Sequence, residues 1–173
     1  DSCLQVLSEL EQGRKNFQLN LNILEAGAEF FQKSGKDILP ETFEQARSSD
    51  AVLLGAMGLP NIRLHDGTEI APHLRMRTEF GLFAGVRPVK SYINVPKVLS
   101  NPDAGRIDII ILRESTEGLF AHRERGTIQE DMIARDTLEI TRPVCEKLFD
   151  FAFELARKRK SDGFPGRVTC VDK

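Results

Sequence analysis

The sequence predicts an α/β fold with a mostly parallel sheet flanked by helices. Two short apolar runs point to it, Ala51-Val52-Leu53-Leu54 and Ile109-Ile110-Ile111-Leu112, each bounded by polar or turn residues as a buried strand is. Such runs alternate with stretches of helical period, which is the order of βαβ units. The chain has 173 residues, 40% hydrophobic and 29% charged, enough to bury a real core in one or two domains. A net charge of −2 gives no electrostatic case for nucleic acid or a membrane as partner. No apolar stretch is long enough to span a bilayer. Three widely spaced cysteines, Cys3, Cys145 and Cys170, suit a reducing, cytoplasmic setting better than a disulfide framework. The start at Asp1 without Met suggests that an N-terminal piece is missing.

The elements follow in order. Cys3, Val6, Leu7 and Leu10 share one helical face, so a first helix is expected over residues 2–11. Alternation through Leu19, Leu21 and Ile23 predicts a strand over 17–24. A short helix over 26–33 is closed by Gly35, and Pro40 opens another over 41–47. A buried strand is expected at 50–55, then a Gly- and Pro-rich loop to residue 69, then a helix over 71–79. A strand over 82–89 contains Pro88, so it lies at an edge or ends there. A domain boundary is expected near residues 81–85, and residues 92–106 read as a connector.

The run ending at Leu112 is a strand that delivers Arg113. After Phe120 the chain turns charged and irregular, and Thr137-Leu138-Glu139-Ile140 alternates as a half-buried strand does, which suggests a projecting hairpin arm. The strongest helix begins at Thr141 and Pro143 and carries Val144, Leu148, Phe151, Ala152 and Leu155 in one stripe. Its basic end, Arg157-Lys158-Arg159-Lys160, complements the helix dipole. A last strand is expected over 167–171, followed by Lys173.

Chemistry is sought at the cations. In an open α/β sheet, ligands lie beyond the carboxyl ends of strands, where Arg113 and Lys173 are placed. Ile70, His73, Leu74 and Arg77 share a helix face that mixes apolar and cationic groups, and Arg87 sits within a strand. Each charge there needs an anionic partner, and guanidinium forks hold carboxylates bidentately. Together the four cations suggest a pocket for a small polycarboxylate. Lys173 could serve as a general base of lowered pKa. Gly55-Ala56-Met57-Gly58 is not a dinucleotide fingerprint, and no hydrolase triad or zinc spacing is present. Glu114 and Glu117 are not placed as metal ligands or as an acid–base pair.

Several segments match, in order, those of a known family: Asp50-Ala51-Val52-Leu53-Leu54-Gly55-Ala56, Leu74-Arg75-Met76-Arg77, Leu82-Phe83-Ala84-Gly85-Val86-Arg87-Pro88, Arg113-Glu114-Ser115-Thr116-Glu117-Gly118 and Val168-Thr169-Cys170-Val171-Asp172-Lys173. They resemble the metal-dependent β-decarboxylating dehydrogenases, which act on isopropylmalate, isocitrate, homoisocitrate and tartrate. The resemblance covers nearly the whole chain and implies the N-terminal half of a two-domain fold. Residues 1–81 would be part of the larger cofactor-binding domain. Residues 82–173 would begin the smaller domain, with a dimerisation arm at about residues 121–140.

The resemblance further implies an NAD-dependent oxidation of a malate-type 2-hydroxy acid with β-decarboxylation, on a 3-isopropylmalate-like or tartrate-like substrate. NADP is the alternative cofactor, and Mg2+ or Mn2+ would polarise the developing carbonyl. Arg77, Arg87 and Arg113 would hold the carboxylates of a dicarboxylate or tricarboxylate. His73 and Leu74 would read the variable group. Gly58, Pro60 and Glu69 would lie beside the nicotinamide. Lys173 would act across a homodimer in proton transfer. Phe120 stands where the family usually has a catalytic Tyr, and a phenyl ring has no proton to give. The aspartate metal ligands are expected beyond Lys173, and the family's opening strand before Asp1. A rival reading is a truncated, non-catalytic subunit that binds a dicarboxylate and mediates dimerisation.

Overall fold

A computed structural model of the protein describes residues 2–14, 16–123 and 125–171. The chain forms two compact units, divided between Pro72 and His73.

The first unit holds three helices, α1 (Ser2–Gly13), α2 (Ala28–Ser34) and α3 (Pro40–Ser48). Helix α1 follows the expected period, but its apolar side is uncovered, with Val6 and Leu10 exposed. Pro40 opens α3 with its fixed φ, and Gly35 closes α2 in the left-handed conformation. Ala28, Ile38, Phe43, Ala46 and Ile70 are buried. Gly27 joins the parts of this unit. Its N–H donates to the Asp37 carbonyl at 2.7 Å, and the next N–H, of Ala28, donates to the Met57 carbonyl at 2.7 Å. Gly27 has φ of 93°, and a Cβ there would lie 2.6 Å from the Met57 oxygen, so only glycine fits.

Helix α4 (Pro72–Glu79) leads into the second unit. It ends in a Schellman turn: the Leu82 N–H reaches the Arg77 carbonyl at 2.9 Å, with Gly81 at φ 63°. The chain then enters β1 (Ala84–Lys90), which pairs with β2 (Asp108–Glu114). Pro88 is accommodated because β1 has β2 as its one partner strand among the described residues, leaving an open edge. The connector includes a 3-10 turn at Pro102–Arg106, capped by the Asn101 side chain.

Helix α5 (Arg142–Ser161) lies along β2. Its stripe of Val144, Leu148, Phe151, Ala152 and Leu155 is half-buried, while Phe149 and Phe153 between them are exposed. Phe151 meets Phe83 edge-on at 6.4 Å, and Arg159 donates to the Asp108 carboxylate at 2.7 Å. The half-buried face of β2 therefore carries Asp108, Ile110, Leu112 and Glu114, and the open face carries Ile109, Ile111 and Arg113.

The expected arm contains a hairpin, β3 (Thr127–Gln129) and β4 (Ile133–Arg135). Glu130 and Asp131 both have positive φ, and the Met132 N–H bonds to the Gln129 carbonyl at 3.0 Å, a type I′ turn.

The sheet differs from expectation. Both strand pairs among the described residues are antiparallel, not parallel. Residues 17–24, 51–55 and 167–171 form no ladder, and Ile23, Leu53 and Val171 are exposed. Residues 137–140 contribute a single bridge, Glu139 to Gly118. An apolar run favours the strand, but a strand exists only where a second backbone meets its N–H and C=O groups.

Candidate functional site

In the second unit the turn after β2 gathers several of the residues in question. Arg113 is the penultimate residue of β2 and stands on its open face. Directly across the ladder is Gly85, which leaves that position of β1 bare. Arg87 lies two residues along β1 from Gly85, opposite Ile111, and therefore on the same face as Arg113. Arg77 comes from the last turn of α4. The guanidinium carbons of Arg113 and Arg77 lie 5.3 and 6.0 Å from the centre of the Phe120 ring. Among the described residues none of the three arginines forms an ion pair. His73 and Leu74 are half-buried in the first turn of α4, and His73 shares the helix face of Arg77 four residues on.

Two acidic residues of the same segment have local tasks that sequence reasoning missed. The Glu114 carboxylate accepts from the Thr116 N–H at 2.5 Å, the Thr116 hydroxyl at 2.6 Å and the Glu117 N–H at 2.9 Å. Burial raises the pKa of this carboxyl, but the donors from Thr116, Glu117 and Ser115 outweigh it, so the net shift is downward. Glu117 reaches the start of α5, accepting from the Thr141 N–H at 2.7 Å and the Thr141 hydroxyl at 2.6 Å. Gly118 and Glu139 exchange backbone bonds beside it, and His122 lies 3.0 Å from the Glu139 carboxylate. The stem of the arm is thus tied to the helix, and the turn that carries Phe120 is held at both ends. The one signal in the sequence was Thr141 as an N-cap; its partner 24 residues earlier had none.

Gly58, Pro60 and Glu69 lie in the first unit, in a loop more ordered than its composition suggests. Leu59 bridges Ile62, and Arg63 bridges Glu69. The Asp66 carboxylate accepts from the Thr68 N–H at 2.9 Å, which lowers its pKa. The Glu69 carboxylate lies against the bare backbone of Gly58, where a Cβ would come within 2.6 Å of its Oε1. Lys173 lies outside the described residues.

Among the described residues no three His, Cys, Asp or Glu side chains gather as a metal site. Glu114 and Glu117, the carboxylates in the arginine-bearing segment, are already occupied by hydrogen bonds. The described groups therefore do not by themselves fit a divalent ion. No helix among them is long and apolar enough to cross a membrane.

The isocitrate/isopropylmalate dehydrogenase family profile matches residues 1–173. The chain belongs to this family. It is 42% identical over 149 residues to the 3-isopropylmalate/3-methylmalate dehydrogenase of Methanocaldococcus jannaschii, which covers 86% of the chain and 40% of that enzyme. The 3-isopropylmalate dehydrogenase of Heyndrickxia coagulans is 33% identical over 181 residues, covering 100% of the chain and 47% of the enzyme. Among solved structures, the TT0538 protein of Thermus thermophilus superposes with a TM-score of 0.68 at 32% identity, over 90% of this chain and 30% of that one. Isocitrate dehydrogenase from Methylococcus capsulatus, at 20% identity and a TM-score of 0.63, shares the fold over 91% of this chain and 44% of that one. The chain spans less than half the length of the curated relatives it matches.

Proposed function

We propose that this chain forms part of an NAD-dependent dehydrogenase that oxidises and decarboxylates a malate-type 2-hydroxy acid, with a 3-isopropylmalate-like substrate before a tartrate-like one. The observation that carries the reading is the meeting of Arg77 and Arg113 at the Phe120 ring, with no carboxylate paired to either among the described residues, and Arg87 on the same face as Arg113. Unpaired guanidinium forks in one place suit a dicarboxylate. The names of the relatives support the choice of substrate.

In this reading the arginines bind and orient the two carboxylates. They also stabilise the charge left on the substrate when the β-carboxylate departs as CO2. His73 and Leu74, on the Arg77 face of α4, contact the group that distinguishes one malate from another. Gly58, Pro60 and Glu69 line part of the cofactor's place, where a bare glycine and a carboxylate acceptor suit a sugar hydroxyl. The cofactor, when bound, accepts the hydride. Mg2+ or Mn2+ follows from the family alone. Lys173 is proposed as the proton-transfer residue of a partner copy's site. The arm supports a homodimer, because Ile128 and Met132 on its hairpin are exposed. Residues 1–81 are assigned to the cofactor domain and 82–173 to the smaller one. Unpaired cysteines at 3, 145 and 170 fit a cytoplasmic enzyme.

A second reading, a dicarboxylate-binding subunit without catalysis, is favoured by one observation: Phe120 offers no proton at the position it occupies. NADH formation by the full-length protein with isopropylmalate, isocitrate, tartrate and malate separates the two. Turnover with one acid establishes the enzyme and names its substrate. Saturable binding of a dicarboxylate without any turnover supports the subunit.

A further inference from the structure

We infer that Phe120 is a positioning residue, whose ring holds the Arg77 and Arg113 guanidiniums in the orientation that receives a dicarboxylate. This rests on the dicarboxylate reading above and adds a part that needs no hydroxyl. An arginine side chain has several rotatable bonds, and two like charges brought to one place repel. Among the described residues no ion pair fixes either group. The face of an aromatic ring attracts cations, and the two guanidinium carbons lie at 5.3 and 6.0 Å from its centre.

The ring itself is carried on a braced turn. Glu114 closes the turn after β2, Glu117 is clamped to Thr141 at the start of α5, and the Phe120 N–H reaches the Glu117 carbonyl at 3.4 Å. The ring is 42% exposed, so it is not a core residue that packing alone explains. A platform that orders the forks before the ligand arrives lowers the ordering cost of binding. The acidic residues of the Arg113–Gly118 segment thereby act on the site indirectly, by fixing the ring that fixes the arginines.

The test uses the full-length protein with phenylalanines of increasing fluorine content at position 120. These keep the ring's shape while draining the negative charge of its face. Calorimetric titration with 3-isopropylmalate should weaken stepwise, by about two- to fivefold at the trifluorinated end. Phe120→Tyr should bind as the wild type does, and Phe120→Leu at least as weakly as the trifluorinated ring. In the ligand-free protein, the Nε–H resonances of Arg77 and Arg113 should lie upfield through the ring current and lose that shift in Phe120→Leu. A flat fluorine series with no ring-current shift overturns the role of Phe120. Arg113→Ala would still weaken binding in that case, so the dicarboxylate reading would stand. If Arg113→Ala leaves the affinity unchanged, that reading and this inference both fall.

Discussion

Arg113→Ala tests the site most directly. In the structure Arg113 stands on the open face of β2, opposite the bare Gly85, with its guanidinium near the Phe120 ring and no ion pair among the described residues. A fork on a carboxylate makes two charge-assisted hydrogen bonds, each contributing roughly 1.5–3 kcal/mol net. Arg113 is exposed, so solvent screens the pair and the lower end applies, about 3 kcal/mol in total. That corresponds to roughly a hundredfold loss of affinity. Stability should change little, by about 0.5–1 kcal/mol, because the removed group is exposed and leaves behind only its contact with the ring. Arg113→Lys keeps the charge without the fork and should fall between, at about tenfold. The assay is calorimetric titration with 3-isopropylmalate, with a thermal melt on each variant. A Kd within about twofold of wild type for Arg113→Ala, in a variant with an unchanged melt, would refute the argument that this cation receives a carboxylate.

Two glycines should respond differently to alanine. Gly27→Ala meets the backbone of Met57 at a positive φ and should destabilise the protein by about 2 kcal/mol or more, read as a lower denaturant midpoint. Gly58→Ala meets only the end of the flexible Glu69 side chain, so the fold should hold while NAD affinity drops; unchanged NAD binding would remove this loop from the cofactor's place. Thr141→Ala removes one hydroxyl donor from Glu117 and should cost about 1 kcal/mol, and a melt identical to wild type would mean the clamp contributes nothing. Glu114 has a lowered folded pKa, so its contribution to stability is complete above the ordinary glutamate value of about 4.3 and is lost as pH falls through the lowered value. Comparing wild type with Glu114→Gln between about pH 6 and pH 3 should show the stability gap closing with acid; a gap independent of pH would contradict the assignment.

Much of the second unit could be read in advance because its signals are local. The stripe of α5 needs only the 3.6-residue period, and Pro143 and Gly163 mark its ends within a few residues. The three arginines were likewise legible, since a charge within an apolar pattern asks for a partner wherever the chain is folded. What the charges meet was not. That Arg77 and Arg113 come to one ring depends on the turn after α4 and on the register that sets Gly85 against Arg113. That Glu117 is spent on Thr141 depends on a return of the chain 24 residues later.

The strands divide along the same line. Residues 51–55 and 109–112 look alike as apolar runs, yet one is exposed and pairs with no strand among the described residues while the other sits in a seven-pair antiparallel ladder. The amino-acid sequence by itself determined the helices, the closing glycine of α2 and the residue types that could bind an anion. Each follows from the conformational preferences of a few neighbouring residues. Tertiary structure alone decided strand pairing, its antiparallel sense and the assembly of the arginines around Phe120. Those depend on hydrogen bonds and contacts between segments far apart in the chain, which no local pattern encodes.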